Sequence, residues 1–508
     1  ESSDDSGDTA EPLVDPVVFY VDASNADDLV HNGTADHPFA DLPAAFEVLE
    51  LMIPGLDPAP PFIIEVAQGT YLGNNYLRVG GHAKGWITIR AADGALPVID
   101  GGWKNAGGFY SDGDYVAFEG FEIQQTTTVG VAMKGSWNTV RDCVFHDVGC
   151  CSKGKGISWT MGGFHHNLVE RNTFINTGEA AIKADGMSDS IFRNNAMLNE
   201  GGHLYNPGSF IDLSDASKIV IENNYMRAAG GGNDYYDHAI LLAGGTNNVV
   251  RHNLLIEGKL NAIELRGTKE TYLYNNTLVL FDNRGRTSGQ LYLSKGKGSS
   301  QGNVVKNNLF SQTDGLLLDL AKALYPSDLD QWIDGNVYWK IGEGEWFRWP
   351  DGTGGTESFG DISSWQAASG FDQQSTAGNP MLLAAEPASQ PETYAPQKSG
   401  PAFDSAVVLT TTVSSGSAIE VVVVDSRFFT DGMGVRDGDL IRVGKQPVVR
   451  ITSIDHSTNK LTLESTITYD AGDPVNLDYV GEAPDVGALE SGGVTEIGDA
   501  CESGRLFD

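Results

Sequence analysis

The chain has 508 residues, enough for one long solenoid or two to three ordinary domains. Hydrophobic residues are 40% and charged residues 20%, with 62 glycines, which excludes a largely helical protein and suits a turn-rich all-β one. A formal net charge of −35 excludes the basic footprint that nucleic acid requires, and no run of roughly 18 apolar residues exists to span a membrane.

Residues 1–16 are acidic and Ser/Asp-rich without apolar pattern, and read as a disordered tail. Such tails follow a cleaved export signal or a lipid-anchored cysteine, so the expectation is a secreted or periplasmic monomer, with a surface lipid anchor as a variant. From Phe19, FYVDASNADDLVHNGTADHPFADLPAAFEVL reads as a strand, a Pro-Phe turn and a short helix, followed by VAQGTY and WITIRAADGALPVIDGG.

A six-residue pattern (apolar, any, any, Asn, any, apolar) then recurs. It runs from VERNTF at Val169 through FRNNAM, IENNYM, VRHNLL, LYNNTL and VKNNLF to IDGNVY at Ile333. Its asparagines are Asn172, Asn195, Asn224, Asn253, Asn276, Asn308 and Asn336. One repeat earlier, Cys143 takes the Asn slot in VRDCVF, and before that Phe121 in FEGFEI. A unit of about 23 residues with insertions is one coil of a β-solenoid. The side-chain amides can ladder from coil to coil, and Asn tolerates the left-handed backbone of a tight turn.

Each coil carries a further strand: GISWT, AIKAD, FIDLS, AILLA, AIELR and QLYLS. Alternation buries Ile157, Ile182, Ile211, Ile240, Ile263 and Leu291. It sends Ser158, Lys183, Asp212, Leu241, Glu264 and Tyr292 outward, with Thr160, Asp185, Ser214, Ala243, Arg266 and Ser294 in a second outward column. Four inserts precede these strands: GCCSKGK with Lys153 and Lys155, NEGGHLYNPG with His203 and Tyr205, GGGNDYYDH with Tyr235, Tyr236, Asp237 and His238, and DNRGRTSG with Arg284 and Arg286. All fall on one side of the solenoid and would wall a groove floored by Lys183, Asp212, Glu264 and Arg266. Of the four cysteines, Cys143 with Cys150 or Cys151 is the favoured pairing, buried free thiols being the alternative; Cys501 lies far off.

Residues 405–480 lack the Asn pattern and read as short alternating strands. They form a small β-sandwich or barrel-like appendage that either binds carbohydrate or packs on and caps the solenoid. PDVGALE from Pro484 opens a closing segment, 481–508.

The opening strand, Pro-Phe turn, short helix and GTY coil, with PDVGALE, resemble secreted right-handed parallel β-helix proteins of the pectate-lyase-like superfamily. The fold expected is therefore an all-β right-handed parallel β-helix over 17–400, with a short N-terminal capping helix and a small C-terminal β domain. The resemblance implies an enzyme of polysaccharide degradation, in a superfamily of lyases, hydrolases, epimerases and adhesins.

The basic side chains at the groove point to an anionic polysaccharide, and tyrosines such as Tyr292 can stack on sugars. In β-elimination, a cation neutralises the uronate carboxylate and a neutral Lys, Tyr or His removes the C5 proton. Lys183 and Arg266 form one candidate set; Tyr236 with His238, or Tyr205 with His203, form the other. In hydrolysis, Asp212 and Glu264 would flank the bond, about 9.6 Å apart across two coils. A non-catalytic glycan-binding solenoid is the third reading. Calcium is a candidate cofactor if Asp185, Asp212 and Glu264 share a site with an anionic substrate.

Overall fold

Every coil turns at the repeated asparagine, and the amides do ladder. In the computed structural model, Nδ2 of Asn172, Asn195, Asn224, Asn253, Asn276 and Asn308 each donates to Oδ1 of the next asparagine, at 2.9–3.2 Å. Asn336 closes the ladder on Asp372 at 3.1 Å, and Cys143 N opens it on Asn172 Oδ1 at 3.1 Å. The left-handed residue is the one before each ladder position: Arg171, Asn194, Asn223, His252, Asn275 and Asn307, all at φ near +50°. The ladder asparagine is therefore selected for its amide and not for its backbone. Cys143 is a buried free thiol, not half of a disulfide, and burial pushes its pKa up to about 12; Cys150, Cys151 and Cys501 lie outside the described residues.

The structure describes residues 15–25, 30–149, 154–199, 208–228, 236–258, 261–281, 289–296, 298, 300–313, 315–320, 330–382 and 391–493, without the side chains of 199, 228, 236, 237, 280, 281, 312 and 313. Three twelve-stranded sheets run its length, parallel except where Phe347–Pro350 meets Thr356–Phe359. One coil contributes Val249–Arg251 to the first sheet, Leu254–Gly258 to the second and Asn261–Arg266 to the third. Ile157, Ile182, Ile211, Ile240, Ile263 and Leu291 are fully buried between them, as alternation requires. Helix Leu42–Met52, capped by Asp41 Oδ1 on Ala44 N at 2.9 Å, closes the N-terminal end by burying Leu42, Ala45, Phe46 and Leu49.

Residues 410–477 hold six antiparallel strands, closed into a ring by the Thr412–Val423 bridge. This barrel does not cap the solenoid's end. It covers the outward face of the first sheet, where Val220, Val249, Tyr272 and Tyr274 pack with Val421, Phe428, Ile441 and Val449. The closing segment covers the second sheet: Val486, Ala488 and Leu489 pack on Tyr225, Leu254, Val279 and Leu309. Among the described residues, neither module packs on the outward face of the third sheet. Among the described residues no helix is long and apolar enough to cross a membrane.

The ladder gives a first test. Asn253 accepts from Asn224 and donates to Ile221 O, Arg251 O and Asn276. Asn253→Ala leaves these buried groups unpaired, and the urea midpoint is expected to fall by the equivalent of roughly 3 kcal/mol.

Candidate active site

The third sheet's outward face carries the charged residues. Strands Lys155–Trp159, Ala180–Asp185, Gly208–Ser214, Tyr236–Ala243, Asn261–Arg266 and Leu291–Ser294 lie side by side. Ser158, Lys183, Asp212, Leu241, Glu264 and Tyr292 are in register, and the column continues to Asp319 and Arg348. In chain order each of the four inserts falls between a second-sheet strand and a third-sheet strand.

Two polar clusters occupy this face. In the first, Lys183 Nζ donates to Glu179 Oε1 and Asp212 Oδ2, both at 2.9 Å, and Lys155 Nζ lies 3.2 Å from Glu179 Oε2. Burial disfavours the Lys183 charge, but the two carboxylates outweigh it and push its pKa up to about 12. Burial likewise opposes the Glu179 charge, and the lysines hold its pKa below the usual range. Lys155 is thus on a strand and ion-paired, not on a loop wall.

The second cluster centres on Glu264, which is 2% exposed. Arg266 grips it through Nε at 2.7 Å and Nη2 at 2.8 Å, Ser294 Oγ donates at 3.0 Å, and His238 Nε2 lies 3.1 Å from Oε2. A carboxylate so engaged is fixed as an acceptor and orients the histidine. The Arg266 side chain is 42% exposed, so its remaining N–H groups reach solvent. Tyr292 is the neighbour of Glu264; burial, then the Asp319 and Glu264 charges, raise its pKa, leaving the hydroxyl a donor. Beyond it, Arg348 makes a two-point pair with buried Asp319.

This geometry revises three expectations. Lys183 is held as a cation and is not a neutral base. Glu264 is saturated with donors and Asp212 is engaged by Lys183, so these carboxylates do not stand free across a glycosidic bond. Asp185, in the second outward column opposite Ser214, does not join Asp212 and Glu264 in a cation-holding group: no cluster of three or more His, Cys, Asp or Glu spaced for a metal occurs among the described residues. Lys153, His203, Tyr205, Tyr235, Arg284 and Arg286 lie outside the described residues, as does the Tyr236 side chain.

Sequence reasoning missed Glu179, Asp319 and Arg348. The signal was present for the last two, since the in–out alternation continues through LLLDL and FRWP. Glu179 stands four residues before Lys183 at the coil corner, where alternation gives no direction.

The right-handed β-helix region family model matches residues 100–278. With the three parallel sheets, this makes the fold a right-handed parallel β-helix. Pectate lyase L of Dickeya chrysanthemi is 28% identical over 131 residues, which are 25% of this chain and 30% of that protein, so the match spans under a third of the relative. Among solved structures, pectate lyase Pel9A is 15% identical with a TM-score of 0.45, covering 80% of this chain and 95% of that one. The alginate lyase from Paenibacillus sp. str. FPU-7 is 17% identical with a TM-score of 0.36, covering 57% and 94%.

Proposed function

We propose that this protein is an exported polysaccharide lyase that cleaves a uronate-containing, anionic glycan by β-elimination on the outward face of the third sheet. The observation that carries this reading is the Glu264 cluster. It sets an exposed, permanently charged guanidinium beside a histidine oriented by a buried carboxylate. Arg266 would neutralise the uronate carboxylate and stabilise the charge that develops when C5 loses its proton. Lys183, held protonated, adds positive charge three coils away.

The proton acceptor falls to the histidine–tyrosine alternative: His238, with Tyr236 two residues before it on the same strand. The C5 proton passes to that base, the C4–O bond breaks, a C4–C5 double bond forms, and the departing oxygen takes a proton from Tyr236 or water. Calcium stays a candidate cofactor of this reaction, and loss of activity on chelation by EDTA with recovery on added calcium tests it.

Incubation with alginate, glycosaminoglycans, pectin and sulfated algal glycans tests the reading. A lyase yields both new reducing ends and the ultraviolet absorbance of the unsaturated product. Reducing ends alone would mean hydrolysis, and neither signal would mean a binding solenoid. Exchanging Lys183 for Arg keeps the positive charge and is expected to retain most activity, whereas Lys183→Ala is expected to lose about tenfold or more in kcat/KM.

A further inference from the structure

The Lys183 column does not stop at Ser158. Register carries it on through Ala132 and Tyr110 to Tyr76, on strands Val129–Met133, Gly107–Ser111 and Asn75–Leu77. The Tyr76 and Tyr110 rings are stacked, 4.3 Å between centroids and 5° between planes. Because they belong to adjacent coils, their ring normals run near the solenoid axis, and the second face of Tyr110 looks down the column. Along the column come the partly exposed Ala132 and the buried Ser158, and then Lys183, three coils and about 14 Å away.

Two features mark this stretch as a place for a ligand. Tyr110 lies tight against the backbone, since a Cβ at Gly107 would come within 2.4 Å of its hydroxyl oxygen, so the ring is held as a rigid wall. Beside Ala132, in the second outward column, Lys134 is half exposed; its one ion pair, to half-exposed Asp112 at 3.0 Å, is of the weak, exchangeable kind. Arg78 lies over the outer face of Tyr76 at 5.6 Å. An aromatic wall, the small and partly exposed Ala132 beside it and a displaceable cation together suit a pyranose ring carrying a carboxylate.

We infer that Tyr110, backed by Tyr76, and Lys134 form a uronate subsite at the N-terminal end of the groove, remote from the reacting bond. This rests on the lyase reading for the identity of the sugar. The subsite engages only chains long enough to bridge from the Arg266 cluster, so the enzyme favours polymer over short oligomers.

The test uses the full chain. Tyr110→Ala, Tyr110→Phe, Tyr76→Ala and Lys134→Gln are compared by native electrophoresis in gels containing each glycan of the panel, and by kcat/KM on polymer and on trimer. Tyr110→Ala is expected to weaken retardation and raise KM on polymer about tenfold, with turnover of trimer and the melting temperature unchanged. Tyr110→Phe is expected to behave as wild type. Lys134→Gln is expected to lose binding several-fold and to flatten its salt dependence. Wild-type cleavage of polymer with Tyr110→Ala and Lys134→Gln indistinguishable from it overturns the subsite and leaves the lyase standing. Retardation that depends on Tyr110 without cleavage overturns the lyase and keeps the subsite. No retardation of wild type by any glycan overturns both.

Discussion

His238→Ala is expected to lower kcat on the cleaved glycan by about 10²–10⁴, the range for removing a positioned general base. Glu264 Oε2 lies 3.1 Å from the His238 ring, and the carboxylate is clamped by Arg266 on both oxygens and by Ser294 on Oε1. Glu264→Gln should therefore also slow the reaction, by loosening the histidine and freeing Arg266, while leaving binding of polymer nearly intact. Arg266→Ala is expected to cost about 10²–10³, as for loss of one charge-stabilising donor. Steady-state kinetics on the same substrate rank these variants. If His238→Ala retained wild-type kcat while Tyr236→Phe abolished it, the base would be Tyr236. If Asp212→Asn alone were inactive, the elimination scheme would fail.

Arg251→Met is expected to be the most destabilising single change outside the core. Arg251 is fully enclosed between solenoid and barrel. It pairs with Glu222 and Asp439, and its guanidinium also reaches Tyr274 Oη at 3.0 Å and Phe428 O at 3.3 Å. Removing it leaves Arg436, 2.9 Å from each, as the one cation close to both buried carboxylates among the described residues, which costs roughly 3 kcal/mol. Scanning calorimetry should show a lowered transition for the barrel, and limited proteolysis should cut near its junction with the solenoid. Arg251→Met combined with Asp439→Asn should recover part of the loss, because Arg436 then pairs one to one with Glu222.

Acid has the same target. Burial opposes the charges on Glu222 and Asp439, but Arg436 and Arg251 overcome it and hold both pKa values below their usual range. Both carboxylates therefore bind protons more readily in the unfolded chain. Their stabilisation is complete above the unfolded values near ~4 and is lost as pH falls below them. Melting temperature should drop steeply below about pH 4 in wild type and less in the double variant, which keeps one of the two carboxylates. Excising 405–480 is expected to lower solenoid stability, because it bares Val220, Val249, Tyr272 and Tyr274.

The periodic features were legible in the amino-acid sequence because they arise between neighbouring coils. The asparagine ladder, the buried Ile and Leu positions and the outward register of Lys183, Asp212, Glu264 and Tyr292 follow from a repeat length and a period of two. What a side chain pairs with does not follow from a period. That Lys183 is a locked cation, that Glu264 is an orienting carboxylate and that Cys143 ends a ladder depend on contacts made when coils stack. The role of 405–480 was equally hidden. Only docking decides which faces are covered: the barrel takes the first sheet through Arg251 and Asp439, and the closing segment takes the second through Val486 and Leu489. Among the described residues the third face, with its charges and tyrosines, stays uncovered because apolar residues outside the first two sheets had to be buried, whereas the third sheet's outward side chains could remain facing water.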